Sequence, residues 1–369
     1  MNTQSENDIL QRILQRPQAD LADGESARCY ADKTVLVTGG GGSIGSELCR
    51  RVAAMQPRKL IVLDICENGV YDVEQELRMH CGAAFPVFPE ILSVCDKGAL
   101  EAVFAAYRPQ IVLHAAAHKH VPLMEHNVCE AIRNNIFGTL QTAELAEKYA
   151  AERFVLISTD KAVRPANVMG ATKRMCEMML LNRRGCTVFS AVRFGNVLGS
   201  AGSVIPLFEK QIDAGGPLTL TDRRIIRYFM TVSEASALVL RCGAMAKQGE
   251  LFVLDMGEPV RIQSLAETLI RRRGLEPYKD ISIEEIGLRP GEKLFEELLC
   301  NPTVQRRTAC EQIFVEQGDI FSEEEIAEKL SFLRDAADTE NRETARQALM
   351  RAVPEYGRMA KKTSACPAG

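Results

Sequence analysis

Four consecutive residues, Ser158-Thr159-Asp160-Lys161, bring a hydroxyl, a carboxyl and an amine together, a set suited to acid–base work on one ligand. The apolar run before them, Phe154-Val155-Leu156-Ile157, reads as a buried parallel strand. The three groups therefore emerge at a strand's C-terminal end, where doubly wound sheets bind ligands. Met169-Gly170-Ala171-Thr172-Lys173 follows, and Lys173, twelve residues after Lys161, falls on the next expected helix.

The elements that position this cluster alternate along the chain. Strands are expected at 34–38, 60–64, 85–89, 111–114, 154–158 and 187–193, with helices between them. That pattern predicts the α/β class, with a Rossmann-like, doubly wound parallel sheet. The first strand, Thr34-Val35-Leu36-Val37, runs into Gly39-Gly40-Gly41-Gly42-Ser43-Ile44-Gly45 and then a helix. Glycines at 39, 42 and 45 let the backbone approach a pyrophosphate, and the following helix N-terminus favours negative charge. Ser43 and Ile44 lie in the same turn and join Gly39, Gly42 and Gly45 as expected cofactor contacts. The second strand ends in Asp64, about 20 residues past the glycines, where an acid suits a ribose diol and repels a 2′-phosphate. NAD is thus favoured over NADP; a helix N-cap is the plainer role for Asp64.

The strand Ile111-Val112-Leu113-His114 leads into Ala115-Ala116-Ala117-His118-Lys119-His120. Small Ala115 and Ala116 admit a cofactor, while Lys119 and His120 are expected to face an anionic or hydroxylated substrate. Three His residues raise the thought of a metal, but no carboxylate or Cys at ligand spacing supports one, and no metal is expected. A helix over 131–149 carries Asn134 and Asn135, placed either to brace neighbouring strand ends or on a solvated face.

After Arg193 the chain becomes loop-rich, with short strands at Leu218 to Leu220 and Leu251 to Leu254. Gly287-Leu288-Arg289-Pro290-Gly291-Glu292-Lys293 is a rigid basic loop, and Arg289 suits bidentate phosphate contact. The charges of the helices expected at 323–333 and 342–351 read as a solvated face. The expected division is an arm at 1–31, an NAD-binding domain at 32–193 with 229–262 returning to it, and a smaller α/β substrate-binding domain from 194–228 and 263–369. In the arm, Ile9, Leu10, Ile13 and Leu14 have helical spacing that Pro17 stops.

Composition narrows the class of function. The 369 residues are 46% apolar and 25% charged, ordinary for a globular chain. A net charge of −4 points to neither nucleic acid nor an anionic membrane. No apolar run reaches the ~18 residues a membrane span needs, and the polar N-terminus has no apolar signal core. The 12 Cys residues are scattered without a Cys-x-x-Cys pair, which predicts reduced thiols and a cytoplasmic location.

These segments together resemble the extended short-chain dehydrogenase/reductases, in the branch of the UDP-N-acetylglucosamine 4,6-dehydratases of bacterial polysaccharide and glycan biosynthesis. The resemblance rests on Thr38-Gly39 to Gly45-Ser46-Glu47, His114 to Pro122, Ser158 to Val163, Arg193-Phe194-Gly195-Asn196-Val197-Leu198-Gly199-Ser200, Arg227-Tyr228-Phe229-Met230, Arg289-Pro290-Gly291-Glu292-Lys293 and Val353-Pro354-Glu355-Tyr356. It covers residues 30–357. Two positions depart from the superfamily pattern. Met169 stands where a Tyr is usual, as in one subgroup of this branch, and Ser93 stands where relatives often place an Asp near the adenine. The long members carry an N-terminal membrane domain, and this chain resembles their catalytic part standing alone.

The resemblance implies a bound NAD and a UDP-sugar substrate. It implies hydride removal from sugar C4, loss of H5 and O6, and hydride return at C6. Thr159 would assist loss of the C4 hydroxyl proton, Asp160 would be the acid at O6 and Lys161 the base at C5. Lys173 would hold the nicotinamide ribose, with Met169 beside the catalytic set. Lys119, His120, Asn135, Asn196, Val204, Arg227, Arg289 and Glu292 would bind the nucleotide sugar. A homo-oligomer, dimer or hexamer, is expected. A 4-epimerase, a dehydratase that inverts C5 and a non-catalytic NAD-binding scaffold are the competing readings; Met169 leans toward retention at C5.

Overall fold

The computed structural model describes residues 24–298 and 305–358. The helical spacing expected in the arm, up to residue 23, lies outside the described residues. The arm's end forms a helix, Gly24–Tyr30, whose buried Tyr30 donates from its hydroxyl to the Leu240 carbonyl at 3.1 Å.

Nine strands form one sheet. In chain order they are β1 (Thr34–Thr38), β2 (Lys59–Asp64), β3 (Val87–Ile91), β4 (Ile111–His114), β5 (Arg153–Ile157), β6 (Val188–Arg193), β7 (Glu250–Leu254), β8 (Gln305–Arg307) and β9 (Ile313–Glu316). Across the sheet they run β8-β9-β7-β6-β5-β4-β1-β2-β3. Every pairing from β3 to β7 is parallel, and β9 and β8 close that edge antiparallel. The chain winds outward from β1 to β3, then from β4 in the opposite direction. The crevice for a ligand therefore opens at the C-terminal ends of β1 and β4, where Thr38 lies opposite His114.

The central strands are apolar on both faces because both faces are covered. Val35 and Val37 of β1 pack with the helices Ser43–Ala54, Glu67–Cys81 and Val232–Met245. Leu36, between them, packs with Lys97–Tyr107, Gly138–Lys148 and Val168–Leu181. At about 1.5–3 kcal/mol per buried aliphatic side chain, these two layers dominate the cohesion of the sheet. A third apolar cluster lies in the smaller lobe. There Phe208 and Ile212 of helix Val204–Asp213 meet Leu265 and Leu269 of helix Ile262–Arg272 and the parallel strands Leu218–Leu220 and Ile283–Glu285.

The expected assignment of 263–369 to the smaller domain departs from this packing. Residues 305–358 belong with the large sheet: β8 and β9 extend it, and the helices Glu323–Asp338 and Arg342–Ala352 bury Leu333, Ala337, Ala345 and Leu349 in the cluster that contains Val168–Leu181. Glu323, Glu324 and Glu328 are exposed. The inner stripe is mostly alanine, which is apolar but too small to stand out among so many charges.

Candidate active site at the ends of the parallel strands

The glycine turn after β1 is built around close backbone approach. Gly39 has φ of +69°, and a Cβ there would sit 2.6 Å from the Ala116 nitrogen, while one on Gly45 would overlap the Gly39 carbonyl. Only glycine leaves the first turn of Ser43–Ala54 this accessible. Gly42 caps that helix without a side-chain hydrogen bond, and its first turn carries no acid. Asp64, at the end of β2, accepts from the Gly41 amide through Oδ2 and from the Cys66 amide through Oδ1, each at 3.0 Å. It pins the turn, and each oxygen keeps a further lone pair. The Ser43 hydroxyl accepts from the Ala201 amide at 3.0 Å, so the loop after β6 reaches back to the turn.

Beneath β4 runs a buried polar chain. The Asn135 carbonyl accepts from Thr139 at 2.6 Å, so Thr139 Oγ1 accepts from Nε2–H of His114 at 2.8 Å. His114 Nδ1 then accepts from the Thr38 hydroxyl at 2.8 Å. Burial, reinforced by Lys173, lowers the His114 pKa to about 3, which keeps the ring neutral. Asn135 is fully buried within a π-helical turn, Ile132–Phe137. Its side chain accepts from the His118 amide and donates to the His118 carbonyl and to Thr172. It braces the Ala116–His118 segment, as one reading of the sequence expected. Lys119 and His120 stand exposed at the crevice. His118 pairs with Glu130 at 3.1 Å. Among the described residues no group of His, Cys, Asp and Glu is arranged to hold a metal ion.

The Ser-Thr-Asp-Lys stretch leaves β5 as a tight turn. Thr159 caps the short 3-10 helix Asp160–Ala162: its Oγ1 accepts from the Lys161 amide at 3.3 Å and donates to Asp160 Oδ1 at 2.9 Å. Asp160 is 1% exposed, and its Oδ2 has no hydrogen-bond partner among the described residues. Lys161 Nζ donates to Asp160 Oδ1 at 3.0 Å and to Asn196 Oδ1 at 3.2 Å. Burial pushes the Lys161 pKa down, but the charges of Asp160 and Glu296 outweigh it and leave the pKa above the ordinary lysine value.

Lys173 is buried on helix Val168–Leu181 and donates to the Ile157 carbonyl at 2.9 Å. Burial lowers its pKa. Met169, one turn earlier, is buried in the apolar cluster.

The substrate-side residues divide. Asn196 reaches Lys161, as above. Val204 begins helix Val204–Asp213 and is half-buried. Arg289 is exposed on the loop whose Gly291 carbonyl accepts from Asn167, the cap of the Lys173 helix. Glu292 accepts from the Thr221 hydroxyl at 3.1 Å and faces Arg227 at 3.6 Å. Arg227 is buried and spends its donors on the carbonyls of Ile226, Lys293 and Leu294. It braces segment 293–294 while its Nε faces Glu296.

A family model described as polysaccharide biosynthesis protein matches residues 35–318. The chain belongs to that family. The capsular polysaccharide biosynthesis protein CapD of Staphylococcus aureus is 51% identical to this family member over 317 residues, 85% of this chain and 53% of the relative. The chain spans about half the length of the first curated relatives it matches. It is 32% identical over 278 residues to a UDP-N-acetylglucosamine 4,6-dehydratase (inverting) of Campylobacter jejuni, and 33% over 276 residues to a UDP-glucose 4-epimerase of Rickettsia bellii. Each match covers 73% of this chain and 78% of the relative. Among solved structures, Pen from Bacillus thuringiensis aligns with a TM-score of 0.72 at 32% identity, covering 80% of this chain and 89% of that one. The fold is that of the extended short-chain dehydrogenase/reductases. No helix among the described residues is long and apolar enough to cross a membrane.

The residues of this family member fit a dinucleotide. The cradle at Gly39 and Gly45, which a Cβ would fill, and the uncapped helix after it suit a pyrophosphate. Two groups of the site escaped the sequence reading. Glu296 is 8% exposed, with Oε1 3.9 Å from both Lys161 Nζ and Arg227 Nε. Its one sequence signal is an acid inside Leu294-Phe295-Glu296, just past the basic loop. The second group lies under Ser158, which donates to Glu177 at 2.6 Å. Arg193 clasps Glu177 through two bonds of 2.7 and 2.6 Å and reaches Glu316 of β9 at 2.6 Å, all buried.

Proposed function

We propose that this chain is an NAD-dependent nucleotide-sugar 4,6-dehydratase. It would convert UDP-N-acetylglucosamine to a UDP-4-keto-6-deoxy-N-acetylhexosamine with retention at C5, for bacterial surface polysaccharide or glycan synthesis. Its reaction class is hydro-lyase, with the cofactor tightly bound. The observation that carries the reading is the hydrogen-bonded series Thr159–Asp160–Lys161, a relay, an acid and an amine in contact at one strand end.

NAD, when bound, supplies reversible hydride acceptance, drawing from C4 and giving to C6, so the sugar undergoes no net oxidation. The chain's own residues handle the protons. Thr159 takes the C4 hydroxyl proton as its own passes along the 2.9 Å bond to Asp160. Asp160 thereby becomes the acid that the O6 departure needs. The same proton removes the Asp160 charge, the nearer of the two that hold Lys161 protonated. Once its ammonium proton has passed to a neighbouring acceptor, from which it is regained at the end of the cycle, Lys161 takes H5, which the C4 ketone has made acidic. Asp160 then gives its proton to O6, which leaves as water. Lys161 returns a proton to C5 once C6 is reduced. Donor and acceptor are the same amine on the same face, which supports retention. The proton lost at O4 departs with the water, so the cycle balances. Lys173 would orient the nicotinamide ribose, and Asn196, Arg289 and Glu292 would bound the sugar nucleotide.

The relative described as a UDP-glucose 4-epimerase favours a second reading, in which chemistry stops after C4 redox. That reading has no use for the Asp160–Lys161 pair. Incubation with UDP-N-acetylglucosamine in D₂O, followed by NMR, separates the two. A 4-keto-6-deoxy product with deuterium at C5 and unchanged configuration supports the proposal. A galacto epimer with C6 unchanged refutes it. We further propose a cytoplasmic homo-oligomer, dimer or hexamer; the ten cysteines in the described residues, all free thiols, support a reducing compartment.

A further inference from the structure

Glu296 belongs to no step above, yet it is placed at the group whose protonation decides the reaction. It lies on segment 291–298, held against the site by Arg227 through the carbonyls of Lys293 and Leu294. The groups that face it are Lys161 and Asp160 on the turn after β5, Arg227 on the short strand Ile226–Arg227, and Lys293 on its own segment. Lys161 has two carboxylates within ion-pair distance among the described residues, Asp160 at 3.0 Å and Glu296 at 3.9 Å. Once Asp160 has taken the C4 proton, Glu296 is the one still charged. The Lys161 side chain is only 17% exposed and that of Glu296 4%, which leaves bulk water a poor partner for fast exchange.

We propose that Glu296 is the proton store of Lys161, a positioning residue that takes the ammonium proton so that the amine can remove H5. The inference rests on the dehydratase reading. The exchange is balanced: Lys161–NH₃⁺ and Glu296 carboxylate become Lys161–NH₂ and Glu296 carboxylic acid. Reversal after C5 is reprotonated restores the pair, and no proton enters or leaves it. Burial also holds Glu296 above the ordinary carboxylate range, with Lys161 offsetting part of the effect, so its acid form is within reach.

A pair that shares one proton has a signature in pH. While it holds that single proton, the fraction present as free amine is independent of pH. The wild-type kcat with saturating UDP-N-acetylglucosamine should therefore be flat from about pH 6 to 9. In Glu296→Gln the amine must lose its proton to solvent, and kcat should rise about tenfold per pH unit through the same range. Glu296→Asp should keep a flat profile at reduced kcat. A Glu296→Gln profile parallel to that of the wild type would mean that Glu296 only holds Arg227 in place, and would overturn the inference. So would a wild-type profile that itself rises tenfold per unit, a result that needs no variant to fold. Absence of 4-keto-6-deoxy product from the wild type would instead overturn the dehydratase reading, before Glu296 is tested at all.

Discussion

Gly170 meets Lys161 so closely that a Cβ on the glycine would overlap the lysine's carbonyl oxygen. The Asp160–Ala162 turn lies directly on the first turn of the Lys173 helix, and this contact sets their separation. Gly170→Ala should displace backbone against backbone, with no flexible side chain to yield. We expect a loss of about 1–3 kcal/mol in urea unfolding and a fall in kcat larger than the rise in KM, because the acid and the base move together. A variant with wild-type kcat would show that the contact has slack.

Lys161→Ala removes the amine that the mechanism places at C5. Dehydration should fall by at least about 10²–10⁴-fold, and no deuterium should enter C5 of recovered sugar in D₂O. Deuterium appearing there at the wild-type rate would assign the base to another residue.

His114 makes stability depend on pH in a definite direction. Its folded pKa is depressed to about 3, against about 6.5 in the unfolded chain. The unfolded state therefore binds the proton first as pH falls. The contribution of His114 is fully present above about pH 6.5 and is lost progressively toward pH 3, at about 1.4 kcal/mol per unit. Urea unfolding between pH 7 and 5 should show that slope, and His114→Gln should flatten it. An unchanged slope in the variant would place the effect elsewhere.

Glu177→Gln tests the buried pairs under Ser158. Burial raises the Glu177 carboxyl, but Arg193 and Arg174 outweigh it and hold its pKa below the ordinary value. The stabilisation is present above the unfolded carboxylate pKa and is lost as pH falls through the folded one. Removing the charge leaves Arg193 with one clasp fewer in a buried site. The expected cost is about 3–5 kcal/mol in chemical unfolding. A cost below about 1 kcal/mol would mean that Glu316 alone compensates Arg193.

Legibility in the sequence followed distance along the chain. The placement of the glycine turn and of Thr159-Asp160-Lys161 was readable because each is contiguous and follows an apolar strand. Glu296 was not, because it meets Lys161 only after the whole chain between them folds back. The bonds of Arg227 were hidden for a different reason. Its hydrogen bonds go to backbone carbonyls, which no residue letter records, so its bracing of segment 293–294 could not be read from the sequence. Asn135 was legible as a brace for the strand end, because a polar pair on the helix beside that strand has few other uses. The alanine stripe of the last two helices lacked the large side chains that make an amphipathic period visible.

The C-terminal segment gives the last of these a wider meaning. Glu316 of β9 reaches Arg193, and Asp319 and Glu355 reach Arg174. Three acids from one segment thus neutralise cations that sit beneath the catalytic turn. The end of β6 and the Lys173 helix are tied to this segment by ion pairs, so local opening of the segment would strip Arg193 and Arg174 of acidic partners. The antiparallel edge of the sheet therefore does more than lengthen it, because the charge it carries inward belongs to the same buried set as Glu177 under Ser158.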